Sequence, residues 1–264
     1  MAIEFLAKCL LLVSQANYNE SGLLQNQPML ISQNAKLVNV SGSNINTADT
    51  VDYLAILRQI DSTKSYAQTK AAIMDIKNKI DFSTSSVDSL NKIFTELLVF
   101  KIIPYWYGTP WAFEGYTAVP NQGEIACGYF VSTTLLHTGI NINRYKMAQQ
   151  LPLHEALTLA AGEPLLEIQN TSVVDNIAQL DTLLSYGVYF LGFDKSHVGF
   201  ILKQFDQVFV IHSNYIGSDG VTIEKIEDSQ AFASYKRFYI APISTNYNLM
   251  KKWILGEAIT VIDG

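Results

Sequence analysis

The chain has 264 residues, of which 48% are hydrophobic and 16% charged, and its formal net charge is −6. This composition excludes disorder of the whole chain and suits one large domain, or one domain with a small accessory region. The acidic balance and the lack of a basic cluster argue against nucleic acid as a partner. No run reaches the roughly 18 apolar residues of a transmembrane helix, so no stable membrane insertion is expected.

The first 16 residues have two interpretations. An apolar run from Cys9 to Val13 follows Lys8 and precedes small residues, as in a short signal peptide. The run is short, however, and Glu4 cancels the charge of Lys8, which favours a first amphipathic helix. Residues 17–47 are rich in Asn, Ser and Gln and are expected to be largely irregular.

Three helices are predicted next. Residues 51–60 follow a polar cap at 47–50, and residues 64–80 are mostly good helix formers. Residues 87–100 follow a run of Ser and Thr at 83–86 that can cap a helix.

The composition changes beyond the third helix. Residues 105–113 are aromatic and contain Gly and Pro, which predicts a structured loop. Residues 127–138 have helical spacing and end at Gly139, a common C-terminal cap. Two or three short helices are expected within 143–184.

The last part of the chain has the pattern of a β-sheet. Short apolar runs separated by turn residues predict five strands, at 188–191, 197–202, 207–212, 221–226 and 237–243. A final helix is expected over 246–256. Helices first and a mostly antiparallel sheet second define an α+β fold.

Cys127 is one of only two cysteines, a number that argues against a disulfide scaffold or a zinc site. Cys9 is interpreted as a small buried hydrophobe. Cys127 lies where a helix is expected to begin, so its sulfur would face unpaired N–H groups that lower a thiol pKa. The same N–H groups could stabilise an oxyanion, and Gly128 leaves room for a substrate. Cys127 is therefore a candidate nucleophile.

The base that such a nucleophile needs must come from the four histidines. His137 lies at the far end of the predicted helix and His154 in a Leu/Ala-rich segment, so both are interpreted as cap or surface residues. His197 begins a strand on the same face as Gly199, which leaves room beside the imidazole. A simple hairpin places His212 nearly opposite His197, within about 5.5 Å, where it could orient the second ring nitrogen of that base.

Three blocks of sequence resemble the motifs of the NlpC-type papain-like cysteine peptidases. The blocks are 126–131 (ACGYFV), 196–201 (SHVGFI) and 209–213 (FVIHS), and 107–108 (YG) resembles the pair that precedes the nucleophile in that family. Their order and approximate spacing agree with the family. The resemblance covers about residues 100–215.

The resemblance implies a papain-like (NlpC-type) α+β core in which the helix bearing Cys127 packs on a mostly antiparallel sheet. It implies Cys127 as nucleophile, His197 as base and His212 as orienting residue, with no metal or organic cofactor. The substrate would be a small peptide or amide, such as a bacterial peptidoglycan fragment, and the location extracytoplasmic. Residues 17–95 would form an N-terminal helical accessory region and residues 96–264 the catalytic domain.

Two departures from the family leave the substrate open. The family usually has Asp before and Ser after the nucleophile, where this chain has Ala126 and Gly128. The segment before the nucleophile is also longer than usual. We expect Tyr107, Trp111, Tyr116 and Gly128 to bind substrate, although the aromatic residues could equally cover the edge of the sheet.

Three functions fit these features, and amide hydrolysis through an acyl-enzyme is favoured. An acyltransferase or transamidase would keep the fold and exclude water from the thioester, with the aromatic loop as a lid. A non-catalytic binding module would keep only the scaffold, and its Cys127 would have an ordinary thiol pKa. Gln122 is interpreted as a turn residue, with a role in oxyanion stabilisation as the less favoured alternative.

Overall fold

The computed structural model describes residues 52–217 and 220–264. The interpretations of residues 1–16 and 17–47, the predicted cap at 47–50 and the role of Cys9 therefore lie outside the described residues. Residues from Thr50 to Gly264 form one compact unit. None of the helices in the described ranges has the length and hydropathy that a bilayer crossing requires.

The described part of the chain contains nine α-helices, numbered here in chain order. They are Tyr53–Leu57 (α1), Tyr66–Lys77 (α2), Val87–Thr95 (α3), Cys127–His137 (α4), Arg144–Ala148 (α5), Pro152–Ala160 (α6), Val173–Leu183 (α7), Gln230–Ala233 (α8) and Tyr247–Leu255 (α9). Helix α3 continues as the π-helical segment Glu96–Ile102 and the 3-10 segment Ile103–Trp106, and a second 3-10 segment is Ile226–Asp228.

Polar caps fix the starts of the predicted helices. In α2 the Ser65 hydroxyl accepts from the Gln68 N–H while the Gln68 side chain accepts from the Ser65 N–H, a reciprocal capping box. Ser86 caps α3 and Asn246 caps α9 through their side-chain oxygens. The helices predicted at 64–80, 87–100 and 246–256 are confirmed. Each of the first two has at least one end within a few residues of its expected position.

Six antiparallel strands form one sheet in the order β1-β6-β2-β3-β4-β5. The strands are Leu166–Gln169 (β1), Gly187–Phe193 (β2), His197–Gln204 (β3), Gln207–Asn214 (β4), Gly220–Lys225 (β5) and Arg237–Pro242 (β6). The predictions of a mixed helix and sheet fold and of an antiparallel sheet are confirmed. The edge strand β1 was not predicted, although its four residues alternate between apolar and polar, because so short a run lies within a segment for which short helices are expected.

Each face of the sheet is covered by its own apolar core. On one face, Phe200 and Ile211 belong to a large cluster with residues of α3, α4, α6 and α9. On the other face, Ile201 and Val210 pack with α7, α8 and β1. Strand alternation divides neighbouring residues of β3 between the two cores, so β3 is central to both.

The aromatic loop before α4 is held in place by buried Arg144. The guanidinium donates to the carbonyl oxygens of Tyr116 (2.7 Å) and Thr117 (3.3 Å) and to Thr133 Oγ1 of α4. A second anchor joins Thr109 and Val221 of β5, whose N–H donates to the Thr109 carbonyl at 2.9 Å. These bonds fasten the loop to both α4 and the sheet, so they provide a fixed wall for the site.

Candidate active site

Cys127 is the first residue of α4. Ala126 before it has an extended backbone (φ −76°, ψ 161°) and no side-chain hydrogen bond that would cap the helix. The N–H groups at the helix start are therefore not occupied by a cap. The N–H groups of Cys127 and Gly128 both act to lower the pKa of the Cys127 thiol.

The chain enters α4 along a path fixed by three hydrogen bonds. The Ala126 N–H donates to the Gly115 carbonyl (2.8 Å) and the Ile125 N–H to the Pro110 carbonyl (2.9 Å). Buried Ser213 of β4 donates its hydroxyl to the Ile125 carbonyl at 2.7 Å. The nucleophile is thus positioned from the loop on one side and the sheet on the other.

Gly128 is buried against α5 and α6. A Cβ at this position would lie 2.8 Å from the Ala148 carbonyl oxygen and 3.2 Å from Oε1 of Glu155. The close approach of the α5 backbone requires glycine here and explains why the serine usual in the resembling family is absent. The backbone N–H of Gly128 faces the sulfur. The space into which a side chain at this position would point is occupied by α5 and Glu155.

The structure brings the two predicted histidines together. Nε2 of His197 lies 2.8 Å from Nδ1 of His212, and the ring planes are inclined at 73°. Nε2 of His212 lies in turn 3.1 Å from Oε1 of Glu224 on β5. His197 is 2% exposed and His212 is fully buried, so bulk water does not compete for these bonds.

The two histidines meet diagonally across the β3–β4 hairpin. Phe200 pairs with Ile211, and continuing that register places Gly199 across from His212. His197 is two residues further along, so the near-opposite pairing expected from a simple hairpin was wrong by that amount. A Cβ at Gly199 would lie 2.9 Å from Cβ of His212, so the glycine makes the room that the sequence suggested.

Helix α4, which begins at Cys127, packs on the Phe200 face of β3 through a T-shaped contact between Phe130 and Phe200. The Val198 N–H, next to His197, is one of the groups that lower the pKa of the Cys127 thiol. The side chain of His197 belongs to the opposite face of β3. Within the described part of the chain, no hydrogen bond joins the sulfur to the His197 ring.

Burial favours the neutral forms of both Cys127 and His197. Desolvation raises the pKa of the Cys127 thiol to about 11, against the lowering effect of the Val198, Gly128 and Cys127 N–H groups. Cys127 is nevertheless only half-buried at the surface. Desolvation and the charge of His212 together hold the pKa of His197 well below its usual range. The lowered thiol pKa predicted from the helix start is therefore outweighed by burial.

Glu155 of α6 is a buried acid close to the nucleophile. It is 2% exposed, its Oε2 has no hydrogen-bond partner, and burial raises its pKa well above the ordinary value. Burial therefore favours the protonated form of the carboxyl. Its charge would raise the Cys127 pKa further only once it ionised.

The four predicted substrate-binding residues lie in different places. Trp111 contacts Tyr215, whose ring centroid is 5.0 Å from that of His197. Tyr116 is 60% exposed and contacts Tyr129 of α4, two residues after the nucleophile. These two loop residues lie on the base side and the nucleophile side of the site respectively.

Tyr107 and Gly128 have other surroundings. The Tyr107 hydroxyl points to the Leu57 carbonyl at 3.5 Å, and the pKa of Tyr107 is raised by burial. Its described contacts thus run to α1, while Gly128 faces α5 and α6. Gln122 lies exposed in the turn that the sequence predicted, and its carbonyl accepts from Thr117 Oγ1 at 2.6 Å.

His137 and His154 lie away from the histidine pair. Nδ1 of His137 is 2.8 Å from the Tyr66 hydroxyl, and burial lowers the pKa of His137 to about 4. His154 lies beside Gly264 near the end of the chain. In the described ranges, no group of three or more His, Cys, Asp or Glu side chains is placed to hold a metal ion.

Sequence reasoning missed Glu224, Tyr215 and Glu155. Glu224 has an alternating strand pattern around it that gives no sign of a partner on the neighbouring strand. Tyr215 follows the third motif block by two residues, and its aromatic character near a predicted site was an available signal. Glu155 could have been noticed as an acid between Leu153 and Ala156 in an otherwise apolar helix.

Comparisons with protein-family models, with curated proteins and with solved structures each gave no match to this chain.

Proposed function

We propose that this protein is a cysteine hydrolase of papain-like (NlpC-type) architecture that cleaves an amide or peptide bond, with Cys127 as nucleophile and His197 as base. The observation that carries the proposal is the 2.8 Å contact between the buried rings of His197 and His212, together with Cys127 at the start of a helix that packs on the strand bearing His197. Two polar rings in contact at the end of a sheet, next to a thiol at a helix start, have the residue types that acyl transfer needs.

The first half of the reaction forms a thioester. The sulfur attacks the carbonyl carbon as its proton moves to His197, and catalytic hydrogen bonds of this kind tighten when substrate binds. The N–H groups of Cys127 and Gly128 face the sulfur and would stabilise the developing oxyanion. The C–N bond then breaks as His197 returns the proton to the leaving amine.

The second half regenerates the enzyme. Water attacks the thioester carbonyl and transfers a proton to His197, the C–S bond breaks, and the proton returns to the sulfur. Because burial favours the neutral forms of both groups, His197 acts as a general base during attack, as opposed to forming an ion pair with Cys127 beforehand. The rate should therefore depend strongly on the basicity of His197.

The proposed substrate is a small peptide or amide, with bacterial cell-wall fragments as the first class to test. The support for this class is the resemblance of the three motif blocks. Ala126 and Gly128 replace the side chains through which the resembling enzymes bind their peptides, so other groups must bind the substrate here. Trp111 and Tyr116 offer aromatic surfaces on the two sides of the site.

The test is hydrolysis of a panel of short peptides, including D-amino-acid peptides from the cell wall, followed by mass spectrometry of products and of intact protein. We expect the full chain to release an amine and Cys127→Ala to release none, with Cys9→Ala as the matched control that keeps activity. An acyl adduct on Cys127 would identify the intermediate. Activity that survives in Cys127→Ala would refute the proposal, and an amide product formed with added amine would indicate a transferase.

The raised thiol pKa favours a second candidate, a binding module that keeps the scaffold without the chemistry. In that case alkylation of Cys127 should rise continuously from pH 7 to 10 as the thiol with a pKa of about 11 ionises, and it should not respond to His197→Ala. In the hydrolase, His197→Ala should slow alkylation near neutral pH, because the base that assists thiol ionisation is gone. The two functions thus predict different responses of Cys127 alkylation to His197→Ala.

A further inference from the structure

We propose that Glu224 is a positioning residue that orders the protons of both histidines and thereby makes Nδ1 of His197 the basic nitrogen. This inference rests on the proposed function, since it concerns the same site. It adds a fourth residue to Cys127, His197 and His212, and it assigns a role to each ring nitrogen.

The three side chains form a diagonal across three neighbouring strands. His212 pairs with Thr222 of β5, and Glu224 is two residues beyond that partner. His197 is likewise two residues beyond the position on β3 that faces His212. Each step therefore joins diagonal neighbours on one face of the sheet, a separation that long side chains can bridge.

The direction of the protons follows from the chemistry of the groups. An ionised carboxylate only accepts hydrogen bonds, so the proton between Glu224 and His212 must belong to Nε2 of His212. A neutral imidazole carries one N–H, so Nδ1 of His212 has a free lone pair. It must accept from Nε2 of His197, which leaves Nδ1 of His197 without a proton.

The surroundings of Glu224 keep its carboxyl ionised. Partial burial alone would raise its pKa, but hydrogen bonds from His212 and Ser229 and the charge of Arg58 lower it. Arg58 is held there by a 2.8 Å bond from its guanidinium to the Ile223 carbonyl. The accepting carboxylate is thus surrounded by groups from β4, from the residue that follows α1 and from the segment that follows β5.

The opposite order of protons is available to the two rings without Glu224. If Nδ1 of His212 carried the proton, it would donate to Nε2 of His197, and Nδ1 of His197 would then carry the N–H. A protonated Nδ1 cannot accept the thiol proton. A glutamine at position 224 can either accept or donate, so it should allow both orders to coexist.

The experiment is NMR of the full chain labelled with ¹⁵N-histidine, which distinguishes protonated from unprotonated ring nitrogens. In the wild type we expect protonated Nε2 and unprotonated Nδ1 for both His197 and His212. In Glu224→Gln, Nδ1 of His197 should become partly protonated. Glu227→Gln, at an exposed position three residues away, is the matched control and should leave the resonances of both rings unchanged.

The kinetic readout uses the same variants. Glu224→Gln should lower kcat roughly ten-fold, as part of the effect of a general base, with KM unchanged because the residue does not reach the substrate. A protonated Nδ1 on His197 in the wild type would overturn the proposal, and so would unchanged ring resonances in Glu224→Gln. If the ordered protons are found but no peptide is cleaved, the proposed function fails and the role of Glu224 in ordering the protons stands.

Discussion

The base side and the nucleophile side of the site differ in how fully their polar atoms are bonded. On the base side, three of the four ring nitrogens of His197 and His212 take part in hydrogen bonds. On the nucleophile side, Oε2 of Glu155 is buried without a partner. Unsatisfied buried groups are rare, and they are tolerated where a partner arrives during function. The base is therefore held in a fixed orientation, while rearrangement on substrate binding is expected around the nucleophile.

The largest effect should come from the base itself. His197→Ala should lower kcat/KM by about 10²- to 10⁴-fold, the contribution of a general base. Steady-state hydrolysis of the peptide that Cys127 cleaves measures the loss, and thermal unfolding checks the fold. His154→Ala is the control, because its ring lies beside Gly264 and away from the pair. Equal activities in His197→Ala and His154→Ala would show that His197 does not act as the base.

A large effect on stability is expected from Glu155. Its pKa is raised in the folded state, so the stability it contributes is complete below the unfolded pKa of about 4.3 and is lost as pH rises towards the folded value. The free energy of unfolding of Glu155→Gln should not show this decrease, which is about 1.4 kcal/mol per pH unit. Urea unfolding at pH 5 and pH 8 measures the difference. If the free energy of unfolding of Glu155→Gln had the same pH dependence as that of the wild type, Glu155 would be ionised in the folded protein.

A smaller effect, on the same side of the site, is expected from Gly128→Ala. The added Cβ would lie 2.8 Å from a backbone oxygen of α5, which cannot rotate away. The free energy of unfolding should fall by about 1–3 kcal/mol, as for other overpacked sites. Ala126→Ser should act in the opposite sense, because serine caps an α4 start that has no side-chain cap. If Ala126→Ser were destabilising as well, the N–H groups at the start of α4 would already have hydrogen-bond partners.

The smallest effect should come from Tyr215→Phe on the base side. The variant keeps the ring that contacts His197 and loses only the hydroxyl contact to Tyr235 at 3.1 Å. Its cost in chemical unfolding should be about 0.5–1.5 kcal/mol, with little change in kcat. Tyr235→Phe is the matched variant. A large fall in kcat for Tyr215→Phe would place the hydroxyl in the chemistry and erase the contrast between ring and hydroxyl.

Local patterns predicted the elements that carry the site more reliably than the contacts between them. The start of α4 at Cys127 and the strands bearing the two histidines follow from helix and strand periodicity. The diagonal pairing does not, because a shift of two residues in the hairpin keeps every side chain on the same face and leaves the hydrophobic pattern unchanged. The register was therefore the first point at which the prediction was wrong.

Burial was the second quantity that the sequence could not provide. The helix start at Cys127 predicted a lowered thiol pKa, yet desolvation by the surrounding fold raises it. Glu155 and Glu224 show the same limit, since burial raises the pKa of the first while hydrogen bonds and charges from residues distant in sequence lower that of the second. Such neighbours are fixed only by the complete tertiary packing.

The bond from Arg58 to the Ile223 carbonyl joins residues 165 positions apart in the sequence. Arg58 follows α1, the first described helix, while Glu224 lies on β5 near the other end of the compact unit. Closing so long a loop has an entropic cost that grows slowly with its length, but the contact can form only after most of the chain has been synthesised. The electrostatic environment of the histidines is therefore completed late in folding, and a fragment that begins after Arg58 would assemble the rings without the cation that helps keep Glu224 charged.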